Sequence, residues 1–136
     1  MSEPFNPLDV ANLGLSITTA MLATEPTPID EVGVFAGAGI YAIYYRGDQP
    51  EYKLLSEQNL DCIESPVYVG KAVPSGSRKG VAVAKSVTTR TLSARLREHK
   101  RNIVAAENLN SEDFWCRWLV VEPIWISLGA RIMINR

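Results

Sequence analysis

The alternation of apolar and polar positions divides the chain into a few short elements. Leu13, Ile17 and Met21 recur at helical spacing and Asp9 stands where an N-cap belongs, which predicts a helix over Val10–Ala23. The segment Thr24-Glu25-Pro26-Thr27-Pro28 ends it, because proline in a helix interior removes a hydrogen bond and clashes with the turn before it. The stretch Val32–Tyr45 begins glycine-rich and becomes β-branched and aromatic at Ile40–Tyr45, the mark of a strand, closed by Arg46-Gly47-Asp48. Period-two alternation puts Tyr41, Ile43 and Tyr45 on one face and Ile40, Ala42 and Tyr44 on the other.

Residues 48–64 are mixed and polar, and read as an insertion or a short helix. Pro66–Gly70 predicts a second strand, and Pro74–Gly80 a basic loop. A second long helix opens at Thr91 or Ser93 and runs to about Leu109; Phe114–Val121 is a third strand. Glu122-Pro123 then leads into an apolar segment that reaches Arg136. The order helix, strand, strand, helix, strand, helix implies a small α/β fold with a three-stranded sheet, in a single domain over residues 1–136.

Charge changes the picture, although the net value is only −1. Residues 1–70 hold 2 basic and 10 acidic side chains, whereas residues 71–101 hold 9 basic and a single acid, Glu98. A concentrated positive field of this kind suits a phosphate backbone. A solvated helix face beside a basic loop would show the same balance. Cys62 and Cys116 have no C-x-x-C spacing, and with one histidine no structural zinc site is visible. Both read as small buried residues of a reduced, cytoplasmic protein. No basic segment precedes an apolar stretch as in a signal peptide, and no apolar run approaches a membrane span.

The candidate chemistry lies in three places. Tyr41 follows Gly39-Ile40, and Tyr68 precedes Val69-Gly70, each in a strand-like run. On the second long helix Leu92, Leu96, His99 and Ile103 share one side, with Arg95 beside His99 one turn earlier. Arg97 and Arg101 point away from that stripe toward solvent. The bland readings are a packed core histidine and strand tyrosines present for packing alone. The sharper reading is a phosphate site, since Arg95 and His99 on one buried face call for an anion. A phenol near pKa 10 is a poor base unless cations lower that value, and Lys71, directly after the second segment, is a candidate for that field.

Taken together, these residues resemble the GIY-YIG nuclease superfamily. Gly39-Ile40-Tyr41 is similar to its first signature and Tyr68-Val69-Gly70 to its second. The blocks GAGIYAIYY, PVYVGKAVPSGSRKG and CRWLVVEPIWISLG resemble its type II restriction endonucleases in particular. That resemblance implies an antiparallel three-stranded sheet flanked by helices, and hydrolysis of DNA phosphodiester bonds with Mg2+ (or Mn2+). By the same carry-over Tyr41, Tyr68, Arg95 and His99 are catalytic. Tyr41 would orient or deprotonate water, Arg95 would stabilise the growing charge, and His99 would assist proton transfer or hold the tyrosine. Lys71, Arg78, Lys79, Lys85 and Arg90 are the expected DNA contacts, and a palindromic double-stranded DNA substrate implies a homodimer.

One element departs from the family pattern. The metal-binding glutamate expected on the last helix falls near Ala130, and the last acidic residue of the chain is Glu122. Neither Ala130 nor Met133 supplies the hard oxygen that magnesium needs. An inactivated variant, a shortened or decayed domain, and a metal site completed by Glu122 are the three explanations; the shortened domain is the expectation. The chain is therefore expected to keep a DNA-binding footprint with little cleavage, the alternative being a non-catalytic DNA-binding module.

Overall fold

A computed structural model describes residues 10–50, 53–59, 63, 65–73 and 90–121. Asp9, Cys62, the basic loop with Arg78, Lys79 and Lys85, and the final segment with Glu122, Ala130 and Met133 lie outside the described residues. Helix α1 spans Val10–Leu22, and strand β1 is the dipeptide Thr27–Pro28. Strand β2 spans Gly39–Tyr45, and the short helix α2 spans Lys53–Gln58. Strand β3 spans Pro66–Ala72, helix α3 spans Thr91–Ala105, and strand β4 spans Phe114–Val120.

The four strands form one antiparallel sheet in the order β1-β4-β2-β3. The expected sheet of three strands is thus corrected to four. The extra strand is only two residues long, pairing Thr27 with Cys116 and Pro28 with Trp115 at the outer edge of β4. An edge position is where proline is tolerated in a sheet, because its missing N–H has no partner to lose there. The helix predicted to reach Leu109 stops at Ala105, since Ala106 adopts an extended backbone.

Side-chain alternation on β2 separates two cores. Tyr41, Ile43 and Tyr45 pack with Leu92 and Leu96 of α3, Phe114 and Cys116 of β4, and Ile29. On the opposite face Ile40 packs with Ala38 and Met21 of α1, while Ala42 and Tyr44 pack with Ile63. Every residue of β2 is buried, so its burial needs a helix on one face and further chain on the other.

The loop between β1 and β2 anchors the start of α3. Leu92 N–H donates to the Gly37 carbonyl at 3.2 Å, and Ser93 Oγ donates to the Phe35 carbonyl at 3.0 Å. Gly37 has φ +127°, a backbone conformation that a side chain makes costly, and a Cβ there would also press on Val120. The first of these bonds satisfies a helix N-terminal N–H that no side-chain cap reaches.

Two buried polar side chains tie the far face together. Asn59 donates through Nδ2 to the Tyr45 and Ser65 carbonyls at 3.2 and 2.9 Å and accepts from Ser65 N–H at 2.8 Å. Arg117 is 5 % exposed; its Nε donates to the Thr24 carbonyl at 2.9 Å and its Nη1 to the Ile63 carbonyl. Its guanidinium also lies 5.2 Å from the centre of the Tyr44 ring. No helix among the described residues is long and apolar enough to cross a membrane.

Candidate active site

The register of the central strands explains the two glycine-tyrosine segments. Tyr41 of β2 stands opposite Gly70 of β3 on one side and Trp118 of β4 on the other. Trp118 stacks on Phe35 with ring centres 4.8 Å apart and fills its flank. Gly70 leaves the other flank open, and the Tyr41 ring crosses it: a Cβ on Gly70 would come within 2.5 Å of Tyr41 Oη and 2.6 Å of Cζ. The glycine of the second segment therefore makes room for the tyrosine of the first. Gly39 serves a different neighbour, since a Cβ there would collide with the Leu119 carbonyl of β4.

Above this gap three side chains meet. Tyr41 Oη lies 2.8 Å from Nε2 of His99, which α3 lowers onto the sheet. Tyr68 covers both, with ring centres 6.0 Å from Tyr41 and 4.8 Å from His99. Tyr41 is 1 % exposed and Tyr68 48 %, so the cluster has a buried floor and an aromatic rim open to solvent.

Burial holds the Tyr41 phenol well above its ordinary pKa of 10, helped by the field of Tyr68 and a hydrogen bond with it; Arg95 opposes the shift and Glu98 adds to it. Burial also lowers His99 from 6.5, with Arg95 acting in the same direction and Glu98 against it. Both groups are therefore neutral near pH 7; in the tautomer that carries its proton on Nδ1, the phenol donates to the Nε2 lone pair of His99. A phenol hydrogen-bonded to a neutral base is set to pass on its proton if it accepts one from another donor.

Arg95 sits differently from the sequence expectation of a guanidinium sharing a buried face with His99. It is about half exposed, and its Nη1 donates to Glu98 Oε2 at 3.4 Å. An exposed ion pair of this kind is weak, and an arriving phosphate can replace Glu98 as the partner. Lys71 pairs with Ile40, which places it on the opposite face of the sheet from Tyr41 and Tyr68. It is thus not the cation that would activate either phenol. Arg90 is exposed at the start of α3.

At the other end of β2 an open cleft of about 330 Å³ is lined by Tyr45, Asp48, Glu107 and Asp113 among others. Asp113 is held above the usual carboxylate range by burial and by the charges of Asp48 and Glu112. Such an acidic cleft repels phosphate, so a polyanion would meet the Tyr68 rim instead. Cys116, buried with its thiol pushed up to about 12, is an inert packing residue.

Among the described residues no three or more His, Cys, Asp or Glu side chains are grouped to hold a metal ion. The cluster itself offers two phenols and an imidazole, and the nearby carboxylate of Glu98 is engaged with Arg95. Magnesium takes hard oxygen ligands, carboxylates above all, so this donor set does not fit it.

An antiparallel sheet that presents a tyrosine pair to a histidine-bearing helix, with the glycine of the second segment clearing space for the first tyrosine, is the arrangement of a GIY-YIG nuclease domain. Residues 33–136 match the family described as the Eco29kI GIY-YIG domain, and the chain belongs to it. None of the curated proteins compared with the chain matches it.

Two contributions escaped the sequence reading. Gly70 acts through cross-strand register, which no local spacing reveals. Glu98 was visible only as the lone acid of the basic stretch, and its pairing with Arg95 at i+3 was the available signal.

Proposed function

We propose that this chain is a type II restriction endonuclease-like protein that acts on double-stranded DNA in the cytoplasm as a homodimer, with little or no Mg2+-dependent cleavage of its own. The observation that carries the reading is the 2.8 Å contact between a fully buried tyrosine and the only histidine of the chain. A buried phenol needs a hydrogen-bond partner, and an imidazole is one that can also take up a proton, as hydrolysis requires. Attack by water forms a new P–O bond and breaks the phosphodiester P–O bond; the water must give up a proton, and the departing alkoxide oxygen takes one from solvent. Tyr41 would take that proton while handing its own to His99, so that neither phenolate nor imidazolium has to exist beforehand. Arg95, released from Glu98, would neutralise charge on the phosphoryl oxygens, and Tyr68 would line the entry. Arg90 is a DNA-backbone contact in this reading.

A bound Mg2+ or Mn2+ would supply charge neutralisation that one guanidinium cannot match. The second reading, a non-catalytic DNA-binding module, is favoured by the lack of a metal-ligand group among the described residues. Plasmid DNA incubated with the protein and Mg2+, with His99→Ala as control, separates the outcomes. Binding with product at background is expected. Efficient cutting that His99→Ala abolishes would overturn the claim of impaired activity, and failure to bind DNA would overturn both readings.

A further inference from the structure

The cations of α3 sort themselves by what they touch. Between Arg90 and Arg101 there are five: Arg90, Arg95, Arg97, Lys100 and Arg101. Arg95 pairs with Glu98, and Lys100 with Asp30 at 3.8 Å. The other three are exposed, and among the described residues none of them makes an ion pair. At 3.6 residues per turn these three lie within about 40° of one another, on the side of the helix opposite His99. Glu98 stands one turn before Arg101 yet bonds Arg95 instead.

This is not the surface that solvation alone would favour. Arg97 and Arg101 are an i, i+4 like-charge pair, which works against the free helix, and a stripe serving only solubility alternates its signs. Between Arg90 and Arg97 the stripe carries exposed Ala94, which leaves room for close approach. The stripe is about 16 Å long, the axial span of about five phosphates on one DNA strand.

From this we infer that the outer face of α3 binds the phosphate backbone of duplex DNA through Arg90, Arg97 and Arg101, away from the phosphate seated at Tyr41 and His99. The inference rests on the reading of this protein as one that acts on DNA. Charge complementarity identifies the occupant: three guanidiniums that make no ion pair among the described residues match a row of phosphates, and they read no base sequence. The contact gives register and salt-dependent affinity, and it takes no part in the reaction.

The test is duplex binding without metal, in EDTA, followed by fluorescence anisotropy across a salt series. Each phosphate contact contributes about 0.9 to the slope of log affinity against log salt. The variant Arg90→Gln/Arg97→Gln/Arg101→Gln should lose about 3 from that slope and bind more weakly at every salt concentration. Its imidazole NMR signal should match that of the unmodified protein, which certifies the fold. A correctly folded variant with an unchanged slope overturns the stripe and leaves the DNA reading standing. An altered oligomeric mass with an unchanged slope also overturns it, in favour of a protein contact. If the unmodified protein binds no duplex at any salt concentration, the DNA reading itself fails.

Discussion

Replacing Gly70 by alanine tests the geometry of the site with a single methyl group. The new Cβ would stand 2.5 Å from Tyr41 Oη, 2.6 Å from its Cζ and 2.8 Å from Tyr68 Cε1. Restoring ordinary van der Waals contact requires the phenol to retreat by about 1 Å. Tyr41 is buried between Trp118, Leu92 and Leu96, so that movement is passed to its neighbours. Overpacking of this kind costs about 1–3 kcal/mol. Alanine also restricts the unfolded chain, which returns about 0.4–1 kcal/mol. The net loss is about 1–2 kcal/mol, or roughly 5 °C in Tm for a domain of this size. Thermal unfolding followed by circular dichroism measures it. The imidazole NMR signal should move as well, because the displaced phenol changes its bond to His99. Gly33→Ala is the control, since nothing lies within 4 Å of a Cβ there, and its Tm should rise by about 1–4 °C because alanine restricts only the unfolded chain. A Gly70→Ala protein with unchanged Tm and unchanged imidazole titration would refute the claim that the glycine exists to admit the tyrosine.

Other consequences follow from the same contacts. Tyr41→Phe removes one partner of the buried contact with His99, for an expected stability loss of about 0.5–1.5 kcal/mol in denaturant unfolding; unchanged stability would argue against the bond. Because folding lowers the His99 pKa, the unfolded chain binds that proton more readily, and stability should drop as pH is lowered through about 6.5, levelling once the folded imidazole protonates too. Denaturant unfolding of the unmodified protein and of His99→Gln across that range should diverge at the acid end, and parallel curves would contradict the assignment. Arg117→Ala strips one buried and one half-buried carbonyl of their donor and opens a cavity, for an expected loss of about 2–4 kcal/mol in denaturant unfolding. DNA binding by that variant, measured well below its Tm, should be unchanged, because Arg117 lies on the sheet face away from Tyr41.

Much of this arrangement was legible in local pattern. Alternation along Ile40–Tyr45 correctly separated the face that meets α3 from the face that meets α1. Helical spacing put His99 with Leu92 and Leu96 on the inward side, and the structure has Tyr41 waiting there. The remainder depends on tertiary pairing. Thr27–Pro28 is too short to carry a periodic signal, and Pro26 and Pro28 read more naturally as a helix stop. Lys71 looked adjacent to Tyr68 because it is close in sequence, but the pleat sends it to the other face. Arg117 sits in an apolar run and finds its acceptors 93 and 54 residues away, which no local rule anticipates. Arg95 was expected to lean over the histidine: its charge does act on His99, but its guanidinium is half exposed and bonds Glu98.

The central claim, that DNA phosphate docks beside the Tyr41–His99 pair, is tested most directly on the imidazole itself. His99 is the only histidine, so its ring proton resonance is unambiguous in a one-dimensional spectrum. Titrating the protein with duplex DNA in EDTA should shift that resonance and raise its midpoint, because a phosphate beside the ring favours imidazolium. An imidazole whose shift and midpoint stay the same in a protein saturated with duplex would contradict the account.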